Sequence, residues 1–365
     1  MVAARTGALE SPARAVSDQD APGLELSVVV PTYRRAASIE RLLASLTRQL
    51  EPPTFEVIVA IDGSEDGTRE TVDSFAGRLP VQALWQSHRG RAAACNAGAR
   101  RARGRILVLL DDDMEPAPEF LREHSRAHLG DARLALVGPA PIRDDASSRP
   151  IVRYRAAGFA RKLERLRQSD SEPGVGDLYT GNFSLPRELF LEVGGFDEGF
   201  VCYGNEDKEL LVRLRRAGAR LGFAPRALAT QHYDKEYADL ARDTTGEGQN
   251  AVLFAERHPA LLDDLYLMEF ERFPLRRRAA LAVACGLARA PGFLASVAAF
   301  IRRAERSASP RLRSYYDFAF DLHYWLGVRK ALCDRADGSR LSWSQWVRSL
   351  RERAAGTTGR RASES

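Results

Sequence analysis

The chain is poor in the residues that cross-link or anchor a fold: its 365 residues include 4 cysteines, 3 methionines, 4 tryptophans and 6 histidines. Cys95, Cys202, Cys285 and Cys333 stand far apart with no CxxC pair. That argues against a disulfide framework and predicts free thiols in a reducing compartment. The first twenty residues lack an apolar run of leader length, so residues 1–23 are expected to form a flexible lead and the setting is expected to be cytoplasmic. The chain lacks the several long apolar runs of a multi-span membrane protein. What is present is ordinary for a folded protein, 44% hydrophobic and 28% charged. The net charge of +5 conceals an asymmetry: residues 271–365 carry 19 Lys/Arg against 8 Asp/Glu, leaving residues 1–270 at −6. A basic segment of this kind suits an anionic membrane surface, an acidic glycan or a solvated arginine-rich face. Nucleic acid is not expected, because no reading motif accompanies the charge.

Four alternations of strand and helix occupy the first third. Leu26–Val30, Phe55–Ile61, Val81–Trp85 and Ile106–Leu110 are β-branched or apolar runs, and helical spacing follows each of the first three. The last run, ILVLL, is apolar throughout, as expected of a strand buried on both faces of a parallel sheet. Such alternation predicts an open α/β sheet whose ligands lie beyond the carboxyl ends of its strands. Shorter strands at Leu134–Gly138, Arg220–Phe223 and Leu228–Gln231 and a basic helix near Arg153–Arg167 are expected next. A helical region is placed at 259–345 and a disordered tail at 346–365.

The polar residues after each strand carry the chemistry. Asp111-Asp112-Asp113 closes the apolar strand, and adjacent carboxylates repel by about 4 kcal/mol per pair at ~4 Å and an effective dielectric near 20. Asp111 and Asp113 alternate to one side. Hard oxygen donors of this kind suit Mg2+ or Mn2+ shared with substrate phosphates, and a solvated acidic turn is the other reading. Glu206-Asp207 opens a helix after Asn205, so a capped helix start competes there with general-base chemistry.

In order along the chain, Pro31-Thr32-Tyr33-Arg34-Arg35, Ile61-Asp62-Gly63-Ser64 with Asp66, Asp111-Asp112-Asp113, Gly194-Gly195-Phe196-Asp197-Glu198 and Glu206-Asp207 resemble the motifs of family-2 glycosyltransferases. The resemblance spans residues 26–235. It implies the GT-A fold, an open mixed sheet flanked by helices, over 24–258, and transfer of a sugar from a nucleotide diphosphate donor, with a UDP-sugar expected. It further implies that Pro31, Thr32, Tyr33, Arg35, Asp62, Ser64, Arg91, Asn96, Asp111 and Asp112 hold the nucleotide sugar. Asp111, Asp113 and His232 would hold Mn2+ or Mg2+. Asp207 would be the general base, Glu206 would orient a glycan or lipid-linked acceptor, and the product would be inverted. The residues themselves leave humbler roles open: turn and cap chemistry for Asp62 and Ser64, and a structural role for His232.

Two features depart from the family pattern. Cys95 stands before Asn96 where an arginine is frequent, which leaves Arg89 or Arg91 to contact phosphate or base. No QxxRW element follows Glu206-Asp207, which favours single addition over processive synthesis. A nucleotidyltransferase and an inactive sugar-nucleotide-binding or glycan-binding module are the competing readings. The former would want a glycine-rich phosphate loop at the first strand, and PTYRR has no glycine.

Residues 279–301 are nearly apolar and long enough to span a bilayer, but Arg289 and Pro291 interrupt them. Two shorter helices are expected, at a membrane interface or packed on the first domain. The flanking Arg276-Arg277-Arg278 and Arg302-Arg303 would suit anionic headgroups at the cytoplasmic face of a membrane.

Overall fold

The computed structural model describes residues 23–168, 172–174, 179–333 and 342–362, the last seven of these as backbone alone. The expected flexible lead lies, except for Gly23, outside them. The chain opens with β1 (Leu26–Thr32), α1 (Ala36–Leu46), β2 (Phe55–Asp62), α2 (Thr68–Asp73), β3 (Val81–Gln86), α3 (Arg91–Arg101) and β4 (Ile106–Leu110). The middle adds β5 (Met114–Pro116), α4 (Phe120–Ala127), β6 (Leu134–Val137), α5 (Pro150–Gln168), β7 (Asn182–Pro186), α6 (Arg187–Glu192), α7 (Glu206–Arg216), β8 (Arg220–Phe223) and β9 (Ala229–Gln231). Six helices follow: α8 (Tyr237–Arg257), α9 (Glu269–Arg272), α10 (Leu275–Leu287), α11 (Phe293–Arg306), α12 (Leu312–Cys333) and α13 (Trp343–Ala362).

Seven strands form one mixed sheet in the order β3-β2-β1-β4-β7-β6-β8. β1 to β4 pair in parallel, and β7 runs antiparallel between β4 and β6. Because side chains alternate across a strand, the β-branched runs feed two cores. Val29, Ile58, Leu107 and Leu109 join Phe183 and helices α3, α6 and α7 on one face. Val28, Val30, Val57, Val59, Val108 and Leu110 pack with α1 and α4 on the other. β5 and β9 form a separate antiparallel pair just past the end of β4.

β7 has no counterpart among the expected strands. Its sequence NFSLP alternates apolar Phe183 and Leu185 with buried Asn182 and Ser184. The polar face is satisfied beneath the sheet: His124 Nε2 meets Asn182 Oδ1 at 2.9 Å, and Ser184 Oγ meets His124 Nδ1 and His128 Nε2, each at 2.8 Å. Burial lowers the pKa of His124 to about 4 and that of His128 to about 3, so both rings are neutral at pH 7.

The C-terminal boundaries also differ from expectation. The helical region begins at Tyr237 with α8, which packs along α12 where two glycines meet. A Cβ on Gly248 would lie 2.0 Å from Tyr324 O, and one on Gly327 2.0 Å from Thr245 O. The expected disordered tail is instead largely helix α13. Trp346, Val347 and Leu350 are buried against α8, α10 and α12, and Trp346 Nε1 donates to Glu256 Oε1 at 3.1 Å. The apolar stretch 279–301 does divide into two helices, α10 and α11, around Arg289–Gly292. Among the described residues, no helix is long and apolar enough to cross a membrane. All four cysteines are free.

Candidate functional site

The ends of β1, β2 and β4 bring three polar loops to one edge. At β1, buried Thr32 donates from Oγ1 to Asp112 Oδ2 at 2.8 Å, and Arg35 lies 3.5 Å from both Asp112 Oδ1 and Asp113 Oδ2. Burial, reinforced by Asp113, raises the Asp112 carboxyl to about 7 against the pull of Arg35 and Thr32. Pro31 is buried within the strand, whereas Tyr33 is partly exposed and stacks on His88 with ring centroids 4.3 Å apart. Ser64 Oγ accepts from Arg34 N at 2.6 Å, fixing Arg34 at a left-handed φ of 55°.

Asp62 closes β2 and organises the adjacent loop. Its Oδ1 accepts from Arg89 N and Gln86 Nε2, and its Oδ2 accepts from Gly90 N, each at 2.8 Å; His88 Nδ1 lies 2.8 Å from Oδ2. The expected turn chemistry is therefore present. The carboxylate can meet a nucleotide base only by releasing one of these partners.

At β4, Asp111 and the helix α7 carboxylates meet through a single guanidinium. Arg91 donates to Asp111 Oδ1 from Nε at 3.0 Å and from Nη2 at 2.8 Å, to Thr180 Oγ1 at 3.1 Å and to Asp207 Oδ1 at 3.4 Å. Its Nη1 is also 3.9 Å from Glu206 Oε1. Burial disfavours the charged arginine, but Asp111 and the other acids outweigh it and hold its pKa well above the usual value. Thr180 donates to Asp207 from both its hydroxyl and its backbone nitrogen. The two acids of the pair differ in access: the Asp207 side chain is 27% exposed, that of Glu206 8%. Burial and then the Asp207 charge raise Glu206 to about 8, and its Oε2 has no hydrogen-bond partner.

The donor set fits a divalent cation shared with a ligand. Asp113 Oδ1 is buried without a partner while Oδ2 accepts from Gln231 Nε2 at 3.1 Å, which leaves one carboxylate oxygen uncommitted. Burial and the Asp111 charge raise the Asp113 pKa, a cost that a cation would relieve. Pairing of β5 with β9 brings His232 N to Asp113 O at 2.8 Å, but the ring Nε2 lies 2.6 Å from Glu115 Oε2. Among the described residues, no three His, Cys, Asp or Glu side chains already converge as a metal cage. That suits Mg2+ or Mn2+, which bind through one or two carboxylates and complete their shell with phosphate and water.

Two residues make contacts that the sequence did not specify. Asn96 spends its amide on the glycine loop, accepting from Phe196 N at 2.8 Å and donating to Phe196 O at 2.9 Å and Glu198 Oε1 at 3.0 Å. It therefore ties α3 to the loop that precedes α7. Asn205 occupies the N-terminal cap position of α7 without a side-chain capping bond: it sits at φ 70°, donates to Glu247 O at 3.1 Å on α8 and accepts from Lys208 Nζ at 3.2 Å. Thr180, Gly181, His88 and Gln231 join the site without having been singled out. Gly181 is required by contact, since a Cβ there would lie 2.4 Å from Asp111 Oδ2. No strand or helix signal flagged it, because its neighbour is seventy residues away.

A family model described as glycosyl transferase family 2 matches residues 27–194, and one described as the N-terminal domain of galactosyltransferase matches residues 167–238. The validoxylamine A glucosyltransferase of Streptomyces hygroscopicus subsp. limoneus is 32% identical over 273 residues, 66% of this chain and 58% of the relative. The chain thus spans 58–63% of the length of these curated relatives. Among solved structures, the mannosyltransferase PcManGT from Pyrobaculum calidifontis, in complex with GDP-Man and Mn2+, aligns with a TM-score of 0.56 and 23% identity over 84% of this chain and 90% of that one. S. aureus TarS 1-349 aligns with a TM-score of 0.50 and 16% identity over 86% of this chain and 95% of that one. At these identities the two structures share the fold alone.

Proposed function

The chain belongs to glycosyl transferase family 2, and on that premise we propose that it transfers a sugar from a nucleoside diphosphate sugar to an acceptor hydroxyl with inversion at the anomeric carbon. The observation that supports this reading is the Arg91 bridge, which ties Asp111 at the end of β4 to Asp207 at the start of α7 through one guanidinium. Asp207 is the general base. Its partial exposure lets an acceptor reach it, and Thr180 and Arg91 hold its orientation. The acceptor oxygen bonds to the anomeric carbon and its proton passes to Asp207. The bond from that carbon to the diphosphate breaks, and the leaving nucleotide keeps the electron pair. Glu206, raised to about 8 and so largely protonated at pH 7, orients the acceptor as a hydrogen-bond donor. Asp113 and Asp111 would hold Mn2+ or Mg2+, and His232 could join them only by giving up its Glu115 contact. When bound, the ion offsets charge on the leaving diphosphate.

The test is calorimetric titration with UDP and with GDP, each in Mn2+ and in EDTA, on the wild type and on Asp113→Ala. Metal-dependent binding of one nucleotide, lost in the variant, is expected. Absence of binding by folded protein would overturn the donor reading.

A further inference from the structure

A cavity of about 580 Å³ lies between α8, α11 and α12, next to the loop that leads into α7. We propose that it seats the non-reacting part of the acceptor, and that this part is an alkyl or aryl group rather than a further sugar. The inference rests on the transferase reading above.

The gap has a structural cause. Gly248 and Gly327 lock α8 and α12 at a fixed close approach, and beside that crossing the walls carry small or flat side chains, among them Ala241, Gly246, Leu294, Ala298, Tyr203 and Tyr237. The cavity opens to solvent, with Ala238, Arg242 and Lys330 exposed along it, and its size is that of a small-molecule pocket.

The walls favour apolar matter. Three of their polar side chains are committed within the protein, Asp243 to Lys235 at 2.6 Å, Thr245 Oγ1 to Ala241 O at 2.8 Å and Arg242 to Asp239 at 3.2 Å, while the Tyr237 hydroxyl is buried without a partner and can meet one polar atom of a ligand. A buried sugar would leave hydroxyls without partners, a cost of roughly 1–3 kcal/mol for each group. A hydrocarbon surface gains about 25 cal/mol per Å² removed from water.

The cavity also borders the loop that leads into the Glu206–Asp207 pair. Cys202 and Tyr203 are part of its wall and directly precede Gly204, Asn205 and the Glu206–Asp207 pair. Asn250 on α8 donates to Cys202 O and Gly204 O, each at 2.8 Å, so one tether positions both the wall and the approach to the base.

The probes are octyl β-D-glucoside, below its micelle-forming concentration, and methyl β-D-glucoside, titrated into the full chain with UDP and Mn2+. The octyl compound is expected to bind at least tenfold more tightly, and Ala241→Phe and Ala298→Phe, which fill the cavity, to erase that difference while UDP affinity stays within twofold. Retained UDP binding certifies that each variant is folded; if either loses it, Ala298→Leu replaces it. Equal binding of the two glucosides, or a preference that persists in the filled variants, overturns the inference while UDP binding leaves the transferase reading intact. Failure of the wild type to bind UDP or GDP strikes that reading instead.

Discussion

Asp207 and Glu206 are neighbours in sequence, yet they sit in different environments, and their substitutions should separate accordingly. Asp207→Asn keeps the Thr180 contact and removes the proton acceptor. Nucleotide affinity should stay near wild type while turnover falls about 100-fold or more, the usual worth of a general base; single-turnover rates beside a nucleotide titration check this. Gly181→Ala should act from the opposite side. Its new methyl must displace Asp111, whose carboxylate oxygen would be 2.4 Å away, at a cost of about 1–3 kcal/mol for an overpacked site. Metal-dependent nucleotide binding should weaken by tenfold or more, measured by the same titration. The carboxylate motifs were legible because acids at the end of an apolar strand form a local pattern. Gly181 was not, since its reason for being glycine is a contact that only the antiparallel pairing of β4 with β7 creates.

At the scale of elements, β7 is the strand that alternation could not find, and its polar underside makes the fold sensitive to acid. His124 and His128 have folded pKa values of about 4 and about 3, below the ordinary 6.5. The unfolded chain therefore binds their protons first. Stability from this pair is complete above pH 6.5 and is lost as pH falls toward 4, by up to about 1.4 kcal/mol per pH unit for each ring. Urea midpoints at pH 7 and pH 5 should differ less in His128→Leu than in the wild type; an unchanged difference would remove this ring as a cause. The α8–α12 crossing makes a second element-scale prediction. Gly248→Ala should lower Tm by several degrees in a thermal scan, because the added Cβ meets the backbone of Tyr324, which cannot yield as a flexible side chain would.

The whole molecule joins a sheet domain to a helical region, and the two differ in surface. On α10 and α11, Leu275, Val283, Leu287 and Phe300 are exposed. From Arg272 to Ala304 the chain has seven arginines and no acidic residue. Arg276, Arg302 and Arg303 are exposed on the same two helices. The membrane contact expected from the sequence can be tested here: on an anionic bilayer, apolar side chains would enter the interface and arginines would meet headgroups. The protein should co-sediment with vesicles containing phosphatidylglycerol and not with pure phosphatidylcholine. Arg302→Glu with Arg303→Glu should weaken that binding by tenfold or more, since each cation near a charged surface is worth about 1 kcal/mol; equal sedimentation with both lipids would dismiss the surface as a docking face.

Sequence alone determined the parallel half of the sheet, the edge that gathers the three polar loops, the acidic triplet and the break between α10 and α11. Each of these is written in a short stretch: β-branched runs, a turn, a charged cluster, a proline. Tertiary structure decided what Asp62, Asn96, Asn205 and Arg91 do with their polar atoms, where the helical region begins and that Trp346 lies in a core. Those outcomes depend on partners tens to more than a hundred residues away. Hydrogen-bonding groups and apolar faces carry no label for a distant partner, and folding assigns one by satisfying buried polar atoms and removing apolar surface from water.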